Sequence, residues 1–176
     1  MSSKVLIVYY SHTGTARHVA QMLSRMQEWP RGEVVDTDPR HGPYGRWRCI
    51  VDSMLRRSPP IRYKGPELAG HDAHVLIAPI WAWRMASPMR SFVAAHRDAL
   101  RDVALVSVMD KSGAENAEAE LTHLLGRKPA MTAAFLSHEV RDGTCAARLQ
   151  AFAHALQAAE DRALAHGPHA WSPHSV

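Results

Sequence analysis

Short apolar runs alternate with helical periods along the chain. Val5-Leu6-Ile7-Val8-Tyr9 is an unbroken run rich in β-branched residues, as in a strand covered on both faces. Gly14 breaks it, and Val19, Met22, Leu23 and Met26 then fall at i, i+3, i+4 and i+7, one apolar helix stripe. Pro30 and Gly32 are expected to end that helix, with a short second strand from Glu33 to Asp36. Trp47, Ile50, Val51 and Met54 predict a helix near 44–57 that Ser58-Pro59-Pro60 stops, and Ile61 to Asp72 reads as a loop. His74 to Pro79 carries a third buried strand. Ser87-Pro88 predicts a helix start, with Ser87 as N-cap and Pro88 at the first helical position. Met89, Phe92, Val93 and Leu100 supply its apolar face. Val103 to Met109 is a fourth strand, and Ser112-Gly113-Ala114-Glu115 has capping-box spacing before a helix carrying Ala117, Leu121, Leu124 and Leu125. Gly126 and Pro129 end that helix. Met131 to Ser137 is a fifth strand, polar enough for an edge. Leu149, Phe152, Leu156 and Leu164 mark a long final helix, and the His/Pro-rich residues 166–176 read as a frayed tail.

Strict alternation of strand and helix, with right-handed crossovers, predicts a parallel sheet with helices on both faces and one domain over residues 1–165. A length of 176 residues suits one core. Hydrophobic residues at 46% and charged residues at 22% are a globular balance. No apolar run approaches the roughly 18–20 residues that span a bilayer, and Val5 to Tyr10 is too short for a signal-peptide core, so a cytoplasmic protein is expected. Cys49 and Cys145 are too few for a disulfide framework and fit a reducing compartment. The net charge of +4 is local in origin. Seven cations (Arg40, Arg46, Arg48, Arg56, Arg57, Arg62, Lys64) face only Asp38 and Asp52 between Thr37 and Pro66. That segment reads as a solvated helix face or as a patch for an acidic partner.

In such sheets ligands bind beyond the carboxyl ends of the strands. Three strand ends carry unusual loops: Tyr10 to Ala16, Pro79 to Ala86 and Met109 to Gly113. In the first, Ser11-His12-Thr13-Gly14-Thr15 opens directly into a helix. Hydroxyls of Ser11, Thr13 and Thr15, with amides at the positive end of the helix dipole, make a cradle for phosphate that needs no lysine. The same residues also suit a polar helix start with no ligand. In the second loop Trp81 and Trp83 are large planar surfaces that suit stacking or simply plug the top of the sheet. Trp29 is expected in the core.

Tyr10-Ser11-His12-Thr13-Gly14-Thr15, followed by Val19-Ala20, resembles the flavodoxin phosphate loop, Ser/Thr-x-Thr-Gly-x-Thr. Pro79-Ile80-Trp81-Ala82-Trp83, then Pro88-Met89-Arg90-Ser91-Phe92, resembles the second flavin loop of bacterial flavodoxin-like proteins. The resemblance covers roughly Lys4 to Leu156. It implies a three-layer flavodoxin-like fold with a five-stranded parallel sheet of order 2-1-3-4-5, and FMN as cofactor. By resemblance, Ser11, His12, Thr13, Gly14, Thr15 and Ala16 would hold the 5′-phosphate. Pro79, Ile80, Trp81, Ala82 and Trp83 would line one side of the isoalloxazine ring, and Asp110, Lys111, Ser112 and Gly113 the other. Ala16 stands where many members have a second Thr, and Trp83 where a small residue is common.

The implied function is electron transfer between redox partners through bound FMN, with a redox protein or a small quinone-like acceptor as partner and no side chain needed as acid or base. An FMN-dependent NAD(P)H:quinone-type oxidoreductase, including the flavodoxin-type protoporphyrinogen oxidases, is the alternative, with a homodimer possible. A cofactor-free binding module is the third. No Gly-x-Gly-x-x-Gly and no Gly-x-x-x-x-Gly-Lys-Ser/Thr occurs, so dinucleotide and P-loop readings lack their main support. Nucleic acid is not expected as a partner, nor a bound metal. His71 and His74 are expected at the surface.

Overall fold

Seven strands and five α-helices form among the described residues, 5–37 and 59–166, of the computed structural model. In chain order they are β1 (Val5–Tyr10), α1 (Thr15–Gln27), β2 (Arg31–Asp36), β3 (Ile61–Lys64), a 3-10 turn (Leu68–Gly70), β4 (Ala73–Trp81), β5 (Arg84–Met85), α2 (Ser87–His96), β6 (Asp102–Met109), α3 (Ala114–Leu125), β7 (Met131–Leu136), α4 (Ser137–Asp142) and α5 (Ala146–His166). The helix predicted near 44–57, with Trp47, Cys49 and most of the basic segment, lies outside the described residues, as does the tail beyond His166 with Trp171.

The sheet order is β3-β2-β1-β4-β6-β7, with β5 paired to β4. The five predicted strands are mutually parallel, but the expectation of a five-stranded, wholly parallel sheet needs correction. β3 adds an antiparallel strand outside β2, and β5 folds back antiparallel on the end of β4. Ile61 to Lys64 escaped notice because the strand is four residues long, bracketed by Pro60 and by Gly65-Pro66. Its alternation is nevertheless real. Ile61 and Tyr63 are half-buried, while Arg62 and Lys64 point to solvent and charge the sheet's edge.

The continuous apolar runs are explained by burial on both faces. Val5, Ile7 and Tyr9 face a core made with α1 and α5; Leu6, Val8 and Tyr10 face a second core made with α2 and α3. Trp29 is buried as expected. Gly32 lies within β2 beneath the Tyr63 ring, so it is a strand residue and does not end the helix; α1 stops at Gln27, with Glu28 left-handed at φ 56°. The Tyr63 hydroxyl donates to the Pro66 carbonyl at 2.9 Å, and burial pushes its pKa up to about 12, so it stays a donor at ordinary pH. α2 begins at Ser87 itself and ends at His96, with Ala86 as N-cap, so Ser87 is not the cap and Leu100 is buried beyond the helix. Strand β7 is an edge, and Ser137 already starts α4.

His71 and His74 are buried, which overturns their expected surface placement. Each serves the turn before β4: a His71 Nδ1–H donates to the Glu67 carbonyl at 2.9 Å, and a His74 Nε2–H to the Leu68 carbonyl at 3.2 Å. Burial lowers the pKa of His74, and the Leu68 hydrogen bond offsets that only in part. Unfolded, this histidine takes a proton below about pH 6.5. Folded, it refuses the proton until lower pH. Stability is therefore expected to fall as pH drops through 6.5 toward the depressed folded pKa. His74→Asn should flatten the pH dependence of the urea midpoint between about pH 7 and 5; an unchanged slope would remove His74 as its source. Cys145 is buried, and burial raises its thiol pKa, so it behaves as a packing residue with little thiolate.

Candidate functional site

Three loops meet at the carboxyl ends of β1, β4 and β6. The first runs from Ser11 to Gly14 and passes straight into α1. Gly14 is the N-cap with φ 95°, a left-handed conformation that glycine adopts without strain. The intrahelical ladder starts with the His18 N–H donating to the Gly14 carbonyl at 2.9 Å. Helix geometry leaves the amides of Thr15, Ala16 and Arg17 with no acceptor inside the helix. The Gly14 N–H donates to Ser11 Oγ at 3.1 Å, so Ser11 accepts and keeps its own O–H to donate outward. Thr13 Oγ1 and Thr15 Oγ1 lie 3.3 Å apart; one hydroxyl donates to the other, and the second hydrogen points elsewhere. An ideal Cβ on Gly14 would meet nothing within 4 Å, so the loop backbone faces open space. No acidic residue occurs from Ser11 to Arg17. Arg17, half-exposed, is held 2.6 Å from Glu33, whose carboxylate raises its pKa further above the ordinary value. Its charge near the loop is thus largely offset, and hydroxyls, amides and the helix dipole define the cradle.

The second loop is a hairpin. Ile80 pairs with Met85 and Trp81 with Arg84, leaving Ala82 and Trp83 as a two-residue turn. Both have positive φ, 47° and 61°. This is the type I′ geometry that normally calls for Asn or Gly. Holding two other residues there costs on the order of 1–3 kcal/mol each. Trp81 is partly buried and stands edge-on to Tyr10 (centroids 5.7 Å apart) and to His12 (5.9 Å), which joins the second loop to the first. Trp83, 62% exposed, presents its indole to solvent. Its Nε1–H donates to Ser112 Oγ at 3.1 Å, which joins the second loop to the third.

Ser112 therefore holds an indole and does not cap a helix, contrary to the capping-box reading. The N-cap of α3 is Gly113, at φ 118°, with no side-chain cap. Gly113 is where the loops touch: an ideal Cβ would lie 2.7 Å from Ile80 Cγ2 and 2.8 Å from Trp83 Cα. Asp110 and Lys111 are exposed at the rim. The structure thus brings the predicted residues Ser11 to Ala16, Pro79 to Trp83 and Asp110 to Gly113 to one edge. Within this set Trp81 wedges the loops together, and Trp83 is the open face.

Sequence reasoning missed Glu120, Arg84 and Arg90, which hold the hairpin from below. Arg90 Nη1 donates to Glu120 Oε1 at 3.0 Å, Arg84 Nη1 lies 4.0 Å from the same oxygen, and the Met85 N–H donates to Glu120 Oε2 at 3.2 Å. The available signal was a charge inside each of two otherwise apolar helix stripes: Arg90 beside Met89, Phe92 and Val93, and Glu120 beside Ala117 and Leu121. A groove of about 850 Å³ between α2 and α3 opens beside Trp83 and has this ion cluster in its lining.

No protein-family model matches the chain, and no curated protein matches it in sequence. Solved structures do. A Lactobacillus acidophilus flavoprotein in complex with FMN superposes with a TM-score of 0.66 at 17% identity, covering 80% of this chain and 97% of that one. A candidate flavoprotein from Bacteroides eggerthii gives 0.67 at 20% identity, covering 86% and 98%. One from Bacteroides uniformis gives 0.66 at 19%, covering 82% and 99%. At these identities the likeness shows the fold alone: a three-layer, mostly parallel α/β sandwich that fits the flavodoxin-like fold. Among the described residues no helix is long and apolar enough to cross a membrane.

Proposed function

We propose that the chain binds FMN non-covalently across the three loops and transfers electrons between redox partners. The observation that carries this reading is the Ser11–Thr15 loop: hydroxyls and helix-start amides face open space with no acid among them, and the partly buried Trp81 indole stands edge-on to His12. That donor set fits a phosphate dianion. Likeness to a fold whose solved examples include an FMN complex supports the same ligand.

On this reading Ser11, Thr13 and Thr15, with the amides of Thr15 and Ala16, hold the phosphate. Trp83 supplies an apolar platform for the ring, while Trp81 and His12 close the gap between ring and phosphate loop. Asp110, Lys111, Ser112 and Gly113 form the opposite rim. When bound, the flavin supplies one- or two-electron transfer. The chain's own part is to orient the ring, exclude water from one face and aim backbone donors of the second and third loops at its edge. No side chain has to move a proton.

The groove beside Trp83 favours one second reading, a reductase in which a small quinone-like acceptor lies next to the exposed indole. Anaerobic reduction of the FMN-loaded chain separates the two. The electron-carrier reading expects the flavin colour to survive NAD(P)H alone and to bleach once a separate flavin reductase is added. Bleaching by NAD(P)H without that reductase would replace it with the second reading.

A further inference from the structure

We propose that Glu120 is the positioning residue of this site. Its carboxylate, on α3, locks the hairpin that carries Trp81 and Trp83. The proposal deepens the FMN reading and rests on it for its effect on ligand. Three observations converge. The hairpin tip is strained, because Ala82 and Trp83 both sit at positive φ. Its returning strand β5 is only Arg84–Met85, too short to hold such a turn by ladder bonds alone. And a single, largely buried carboxylate reaches the returning strand from another helix: Oε2 accepts the Met85 N–H at 3.2 Å, while Oε1 accepts from Arg90 at 3.0 Å and lies 4.0 Å from Arg84.

The geometry divides the labour. Arg90 is 5% exposed on α2, so Glu120 also ties α2 to α3 under the hairpin. From the other side Ser112 fixes the Trp83 indole, and Gly113 backs the Trp83 main chain. The turn is thus held at two levels of one helix: by the Gly113 cap and by Glu120 about two turns further along. A carboxylate that accepts the Met85 N–H holds the returning strand and with it the Trp83 platform, while Trp81, on β4, is set against Tyr10 and His12 by its own ring contacts. Removal of the carboxylate should therefore loosen ring recognition without changing phosphate recognition.

The test uses the full chain. In the flavin-free protein, Glu120→Ala is expected to raise hydrogen exchange at the Met85 amide roughly tenfold or more, with amides of β1 unchanged. It should also weaken riboflavin and FMN by the same factor, because only the ring wall is disturbed. Glu120→Gln keeps an oxygen acceptor for Met85 and should restore most of both. Because Glu120→Ala takes one ion-pair partner from the buried Arg90 and can destabilise the chain, the double variant Arg90→Met/Glu120→Met serves as the folded control. It is expected to melt near the wild type yet keep the fast Met85 exchange. Unchanged exchange in that folded double variant overturns the proposal. So does faster exchange with unaltered affinity for both flavins. The exchange readout needs no flavin, so it decides the clamp even if the wild-type chain fails to bind FMN.

Discussion

Gly14→Val is expected to cut FMN affinity at least roughly tenfold while changing riboflavin affinity little. Gly14 sits at φ 95°, where a β-branched residue is strained, yet an ideal Cβ meets no protein atom within 4 Å. The added methyl groups therefore stand in the space the loop faces and meet no core. A ligand phosphate held by the Thr15 and Ala16 amides next to it would be pushed off them, and each lost charge-assisted hydrogen bond is worth about 1.5–3 kcal/mol. Riboflavin lacks the phosphate and serves as the internal reference. Flavin-fluorescence titration of both ligands measures the ratio directly. Equal FMN affinity in wild type and variant would show that this backbone is not the phosphate seat.

The second large effect falls on stability. Gly113→Ala places a methyl 2.7 Å from Ile80 Cγ2 and 2.8 Å from Trp83 Cα, at a φ of 118° that alanine resists. The Ile80 methyl can shift, but the Trp83 main chain cannot, because it belongs to the strained turn. Overpacking and backbone strain together are expected to cost about 2–4 kcal/mol, a fall of roughly 5–15 °C in Tm for a domain of this size. Gly70→Ala is the control: its Cβ meets nothing within 4 Å and its φ is ordinary, so a change under about 0.5 kcal/mol is expected. Thermal unfolding followed by circular dichroism compares the two. A Gly113→Ala protein as stable as the control would mean that the second and third loops do not pack through this glycine.

The strands that carry the site were legible because they are buried on both faces. Val5 to Tyr9 and Val75 to Ala78 must be apolar at every position, and such a run has few other readings. The edge of the sheet was not legible. Ile61 to Lys64 alternates over only four residues, and Arg84–Met85 becomes a strand solely because β4 runs two residues beyond Pro79 and turns back on itself. Nothing local announces that turn, since Ala82 and Trp83 are poor I′ residues; the surrounding contacts impose it. His71 and His74 misled for a related reason. A histidine next to Asp72 and Gly70 reads as surface, and only the tertiary fold shows that two backbone carbonyls await those rings.

The same division holds at the site. Three loops at three strand ends followed from the alternation of strand and helix and from the Ser11–Thr15 chemistry. Which residues join them did not. Ser112 had the spacing of a helix cap, but its hydroxyl is occupied by the Trp83 indole, and glycine at left-handed φ does the capping. Trp81 and Trp83 both read as stacking surfaces or plugs of the sheet top, with only Trp83 marked as standing where a small residue is common. The hairpin gives them opposite environments, one wedged against Tyr10 and His12 and the other open to solvent. Glu120 was hidden because a charge inside an amphipathic helix normally means solvent.

The central claim is that uncharged donors at Ser11–Thr15 seat the phosphate of FMN. Titrating the purified chain with FMN, and separately with riboflavin, tests it most directly. Saturable quenching of flavin fluorescence at one flavin per chain is predicted, with FMN bound roughly tenfold or more tighter than riboflavin. Absence of quenching by either flavin, or equal affinity for the two, would contradict it.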